Sequence, residues 1–170
     1  MLRFSLYQHR RRSMVLGLTL MGVWFAGLAL GLLAARFYGE PVAALSLNAG
    51  GGALSFAGAC VVTMLPLFLS AFAVFFFHRA GAILACALRG ITIGFMLGCS
   101  VLAGGFWLAL LLQFSGLCSS PVLLWFLWRR LSRGTDRFRR DVVCCLTAAA
   151  VIAAVDTWVI APFLARALSF

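Results

Sequence analysis

The stretch CALRGITIGF, Cys86–Phe95, sets an arginine inside an otherwise apolar run from about Gly81 to Ala103. Glycines follow it at positions 90, 94 and 98, one every fourth residue. A helix needs about 20 mostly apolar residues to cross a hydrocarbon core about 30 Å thick. The run is long enough, so its arginine is a permanent cation placed at membrane depth.

Composition points the same way. Of the 170 residues, 64% are hydrophobic and 11% charged, and the mean hydropathy is +1.08. Soluble domains are about 45–50% apolar and about 25% charged, so this chain has too little polar surface to coat a globule. Four more runs resemble the first, and together they predict an all-α bundle of five transmembrane helices in one domain. The expected spans cover about 14–35, 54–77, 81–103, 106–128 and 142–164. The first apolar run, at about 20 residues, exceeds the 7–15 of a signal-peptide core, so it is expected to be a retained span.

The net charge of +10 comes from 14 basic residues, all arginine. They cluster at the ends of apolar runs, which suits anionic lipid headgroups and argues against a nucleic-acid partner. Arg3, Arg10, Arg11, Arg12, Arg79, Arg129, Arg130, Arg133, Arg137, Arg139 and Arg140 fall on one side of a five-span chain, and Arg36 and Arg166 on the other. Cytoplasmic ends carry the arginine excess. The N-terminus is therefore expected inside, and the C-terminus outside.

A charge at mid-bilayer costs about 2.5–3.5 kcal/mol on insertion scales and usually turns inward to a partner. Asp156 is the one acid inside an expected span. Counted at 1.5 Å per residue, Arg89 lies about 12 Å and Asp156 about 21 Å from the arginine-rich side. The offset of about 9 Å is within combined side-chain reach, which makes Arg89 and Asp156 a candidate structural pair. The alternative is that Arg89 snorkels to the headgroups and Asp156 is satisfied locally. Gly90, Gly94 and Gly98 form a small-residue stripe of the kind that lets helices approach closely.

Catalytic and metal-binding sets are missing from the pattern. His9 and His78 lie at the expected cytoplasmic surface, far from Ser115, Ser119 and Ser120, and neither HExxH nor GxSxG occurs. The six cysteines form no CxxC pair, so they are expected to be packing residues, with no cofactor or metal implied. A non-catalytic membrane protein is expected. A small transporter is the alternative, since Gln113, the serines, Pro66, Pro121, Arg89 and Asp156 could form a polar midplane site on broken helices. Homo-oligomerisation stays open.

Three segments carry a family likeness: LRGITIGFMLG, then FSGLCSSP with Gly116 and Pro121, then DTWVIAP with Asp156, Trp158 and Pro162. In order and spacing they resemble the stage II sporulation protein M family. Phe114, Ser115 and Gly116 stand where many members have Pro-His-Gly, and Ser119 where many have a glutamate. The resemblance implies a multi-pass protein of the bacterial cytoplasmic membrane. It further implies a scaffold that anchors peptidoglycan-degrading partners as the forespore is engulfed.

Overall fold

The computed structural model describes residues 2–49, 56–133 and 138–168. Gly50, Gly51 and Gly52 of the expected outer loop, and Asp136 and Arg137 of the basic turn, lie outside the described residues. The helices are α1 (Leu2–Ala49), α2 (Phe56–Gly104), α3 (Phe106–Leu112), α4 (Phe114–Arg133) and α5 (Phe138–Val155). A π-turn, Asp156–Ile160, then leads into α6 (Ala161–Leu168). No strand forms among the described residues.

Three helices are long and apolar enough to cross a membrane: Ser13–Gly39, Thr63–Leu102 and Arg139–Leu164. There are four if the bent pair Phe106–Leu112 and Phe114–Ser132 is one span. Their surfaces suit hydrocarbon. Phe75 and Phe77 are each 68% exposed and Trp107 77%, a density of bare aromatic surface that water would not tolerate.

The chain reverses inside α2. His78 has φ 47° and ψ −118°, a left-handed conformation close to that of the first central residue of a type II′ turn. A Cβ on Gly81 would collide with the Ala73 carbonyl. Eight residues along an unbroken helix are about 12 Å apart, so the two arms of α2 fold back on each other.

Three expectations need correction. The first helix, expected to end at about 35, runs as far as Ala49; the added VAALSLNA is rich in the strong helix formers alanine and leucine. The run 106–128, expected as one helix, bends by 58° between α3 and α4, at Gln113 with φ −100° and ψ 13°. The run 142–164 is interrupted by the π-turn, just ahead of Pro162. That proline has no N–H to return to the carbonyl four residues back.

Close backbone approach holds α1 to the second arm of α2. A Cβ on Gly94 would strike the Leu28 carbonyl, one on Gly90 the Trp24 carbonyl, and one on Gly98 the Ala35 methyl. The facing glycines on α1 are as tight: a Cβ on Gly27 would sit 2.6 Å from the Ala87 oxygen, and one on Gly31 would strike that of Ile91. The contacts rise together along both chains, so the two segments run parallel. Around them Leu20, Trp24, Val74, Cys86, Ile93, Leu123, Leu127 and Ala149 share one core.

At one end, the Trp128 indole Nε1 donates to the Ser13 carbonyl at 2.7 Å, joining α4 to α1. There Arg129 Nε meets Asp141 Oδ1 at 2.9 Å, and the Arg129 guanidinium lies 4.9 Å over the Trp125 ring. The Arg129–Asp141 contact is close but off the N–H axis, an ion pair without a well-formed hydrogen bond. Leu67, Phe68 and Ala71 face Phe126 and Val142, which puts the His78 reversal at this same end. Arg79, Arg129, Arg130, Arg139 and Arg140 thus gather on one side.

Gly94→Ala should force α1 from α2 and lower the melting temperature of detergent-solubilised protein, an overpacking effect of about 1–3 kcal/mol. Gly22→Ala, whose Cβ meets nothing within 4 Å, should leave it unchanged or slightly raised. Equal effects in thermal unfolding would contradict the close approach.

Candidate functional site

The polar groups at membrane depth converge on one face of α4. Ser115 and Ser119 are four residues apart, so their side chains lie above one another on the helix surface. Ser119 is 3% exposed. Its hydroxyl accepts a hydrogen bond from Arg89 Nη2 at 2.7 Å and donates to the Gly116 carbonyl at 3.1 Å. Ser120, 1% exposed, donates to that same carbonyl at 2.9 Å. One turn away, Ser115 lies beside the Asp156 carboxylate.

Arg89 and Asp156 therefore reach a common helix without meeting. An ion pair does form at the arginine-rich end, between Arg129 and Asp141. Geometry explains the separation. Counted back from Trp128, Ser119 lies about 14 Å and Ser115 about 20 Å from the arginine-rich end, matching the depths of Arg89 and Asp156 respectively. Side chains lean toward their helix N-terminus, which for the second arm of α2 is the His78 end, away from Asp156. Arg89 bonds the serine at its own level, and Asp156 lies beside the serine at its level.

Local irregularity accompanies the seam. The backbone ladder survives the bend, with Gln113 N donating to Ala109 O at 3.0 Å and Leu117 N to Gln113 O at 2.9 Å. Pro121 within α4 has no donor for the Leu117 carbonyl. Asp156 opens the π-turn, and its carbonyl accepts from Ala161 N, five residues on. Beside it, Thr157 Oγ1 is buried without a partner. Single π-turns inside α-helices are frequent at functional sites.

The other sequence-selected residues are distributed differently. Gly116 supplies the carbonyl for both serines, and a Cβ there would make only ordinary contacts, the nearest 3.6 Å from Gln113 Oε1. Pro121, Trp158 and Pro162 are exposed and stand outside the seam. Gly90, Gly94 and Gly98 lie against α1. Sequence reasoning passed over Gly27 and Gly31, although their own four-residue spacing is the same signal. It also passed over the Arg129–Asp141 contact, whose signal is an acid placed one loop away within a basic turn. Among the described residues no three His, Cys, Asp or Glu side chains come together as a metal site would need.

No family model, curated protein or solved structure matches the chain. The likeness to the stage II sporulation protein M family thus rests on the three quoted motifs.

If Arg89 is held by Ser119, thermal-unfolding cycles should show it. Arg89→Leu and Ser119→Ala should couple by about 1.5–3 kcal/mol, the value of a hydrogen bond to a charged group. The Arg89→Leu and Asp156→Asn cycle should show the smaller coupling. The reverse order would mean that the two charges pair directly.

Proposed function

We propose that the chain is a non-catalytic scaffold of five transmembrane spans, with the N-terminus cytoplasmic and the C-terminus outside. The observation carrying this reading is that Arg89, inside an expected span, is hydrogen-bonded to another helix of the same chain. It joins the second arm of α2 to α4, and Asp156 lies beside α4 at Ser115. Polar groups used this way hold a bundle together. The two arms of α2 supply two spans, the bent α3–α4 pair one, and α1 and α5–α6 the others. The parallel course of α1 and the second arm of α2 fits an odd-to-odd pairing, and the arginines at one end fit a cytoplasmic face.

The resemblance to the stage II sporulation protein M family supplies the finer reading. On it, the protein sits in a bacterial cytoplasmic membrane and localises peptidoglycan-degrading enzymes during engulfment. The bend at Gln113 and the π-turn at Asp156 favour a second reading, a small transporter, because discontinuous helices near the midplane build transport sites. The readings differ in which part must be intact. A scaffold depends on the surface it shows its partners, and a transporter on its midplane.

Alkaline phosphatase fused after Phe170 should be active, and fused after Arg79 or Arg133 inactive; an inactive terminal fusion in a stable protein would overturn the five-span count. Exchanging Ala43–Leu54 for an unrelated segment should abolish recruitment of an external cell-wall enzyme in a co-localisation assay. Retained recruitment would count against the scaffold.

A further inference from the structure

Arg89 offers more than the fold uses. A guanidinium carries five N–H donors in a planar fork, and the hydrogen bond to Ser119 takes one of them, from Nη2. The acid that could neutralise it, Asp156, makes no ion pair with it and lies one turn away beside Ser115. The Arg89 side chain is only partly covered. It borders a ridge that α2 turns outward at four-residue spacing: Leu84 and Leu88, each 55% exposed, the exposed Thr92, and Met96, 45% exposed. A cation whose hydrogen-bond partner is a neutral hydroxyl therefore stands at the edge of a lipid-facing surface.

Depth decides what can complete it. Ser119 draws the guanidinium sideways, about 14 Å from the Trp128 end of α4, and does not let it climb to the headgroups. A lipid phosphate would have to sink into hydrocarbon to reach it. A carboxylate on a transmembrane helix is carried to that depth by its own chain, and arginine's fork matches a carboxylate in two-point fashion. We infer that Arg89, held by Ser119, is the docking point for a partner's transmembrane helix bearing an aspartate or glutamate at the same depth. The inference rests on the scaffold reading and names the chemistry by which a membrane-anchored partner is recognised. The ridge Leu84–Met96 supplies the apolar contact on which such a helix lies.

The test uses the labelled full-length protein in phosphatidylcholine vesicles, with energy transfer to synthetic leucine-rich transmembrane peptides. One peptide carries a single mid-depth glutamate, one a glutamine there, one leucine throughout, and one the glutamate displaced by two turns. The mid-depth glutamate peptide should associate about tenfold more tightly than the others, a difference of about 1.4 kcal/mol, and Arg89→Leu should remove that preference. Should Arg89→Leu fail to fold, the displaced-glutamate peptide tests the same point on the unaltered protein. Equal association of all four peptides overturns the docking site. So does loss of the preference on adding phosphatidylglycerol, which would make a headgroup the occupant. Transfer between two copies of the chain that Asp156→Asn abolishes, without any peptide preference, would make a second copy the occupant. Failure of the peptide test with recruitment through Ala43–Leu54 intact removes this site and leaves the scaffold standing.

Discussion

Hydrocarbon offers polar groups no partner, and that constraint shapes the described structure. An unsatisfied backbone group costs several kcal/mol in lipid, so the described chain is helical almost throughout, and at Gly105 and Gln113 the backbone hydrogen bonds continue. The hydroxyls follow the same rule by folding onto their own helices. Thr19 donates to Val15 O at 2.9 Å, Thr92 to Leu88 O at 2.7 Å and Thr147 to Val143 O at 2.9 Å. Ser70 and Ser100 do likewise, onto the carbonyls of Pro66 and Met96. A hydroxyl satisfied on its own helix holds no other helix in place. Ser119 is different because it also accepts a hydrogen bond from Arg89 on a neighbouring helix, and that turns local satisfaction into tertiary structure.

The same solvent withdraws the hydrophobic effect as a force between helices, since lipid tails are as apolar as leucine. What remains is dispersion, which needs many atoms at contact distance. Glycine on both partners supplies it by removing the side chains that would separate two backbones. At Gly27, Gly31, Gly90 and Gly94 a Cβ would run into main-chain atoms of the opposite helix, which no rotamer change can relieve. The α1–α2 contact is therefore the rigid part of the bundle. The more loosely apposed faces of α1 and α4 leave a cavity of about 390 Å³ between Met21, Trp24, Leu117 and Trp125.

Much of this could be read from the residues alone, and the limits have physical causes. Long apolar runs report the solvent directly, which is why membrane helices were legible. Glycine spacing reported one half of the tight interface; the other half was equally visible in Gly27 and Gly31 but means little until a partner is known. The break at Gln113 was not legible, because no proline or glycine marks it and glutamine is a good helix former. Pro162 did signal disturbance near Asp156, but whether a proline yields a kink, a stop or a wider turn depends on its neighbours. The expected Arg89–Asp156 pair failed on direction. Depth along an axis is countable from sequence, whereas the face that α4 presents between two other helices is not.

That face explains why an arginine can sit at this depth at all. A direct buried ion pair gains strong attraction but must desolvate both charges, and it often contributes little net stability. Separating the charges by one turn of α4 gives Arg89 a neutral hydroxyl partner and sets Asp156 beside another hydroxyl. The Ser119 and Ser120 hydroxyls in turn return their protons to the Gly116 carbonyl, so the seam is a chain of hydrogen bonds that polarise one another. It ties the second arm of α2 to α4 at the level of Ser119, with Asp156 beside Ser115 at a second level. The bend at Gln113 and the π-turn at Asp156 lie beside the upper of those levels. Irregular backbone is tolerated at membrane depth where protein surrounds it. On this view the two interruptions are what bring Ser115 and Asp156 beside each other, and the arginine below them stays fixed through Ser119.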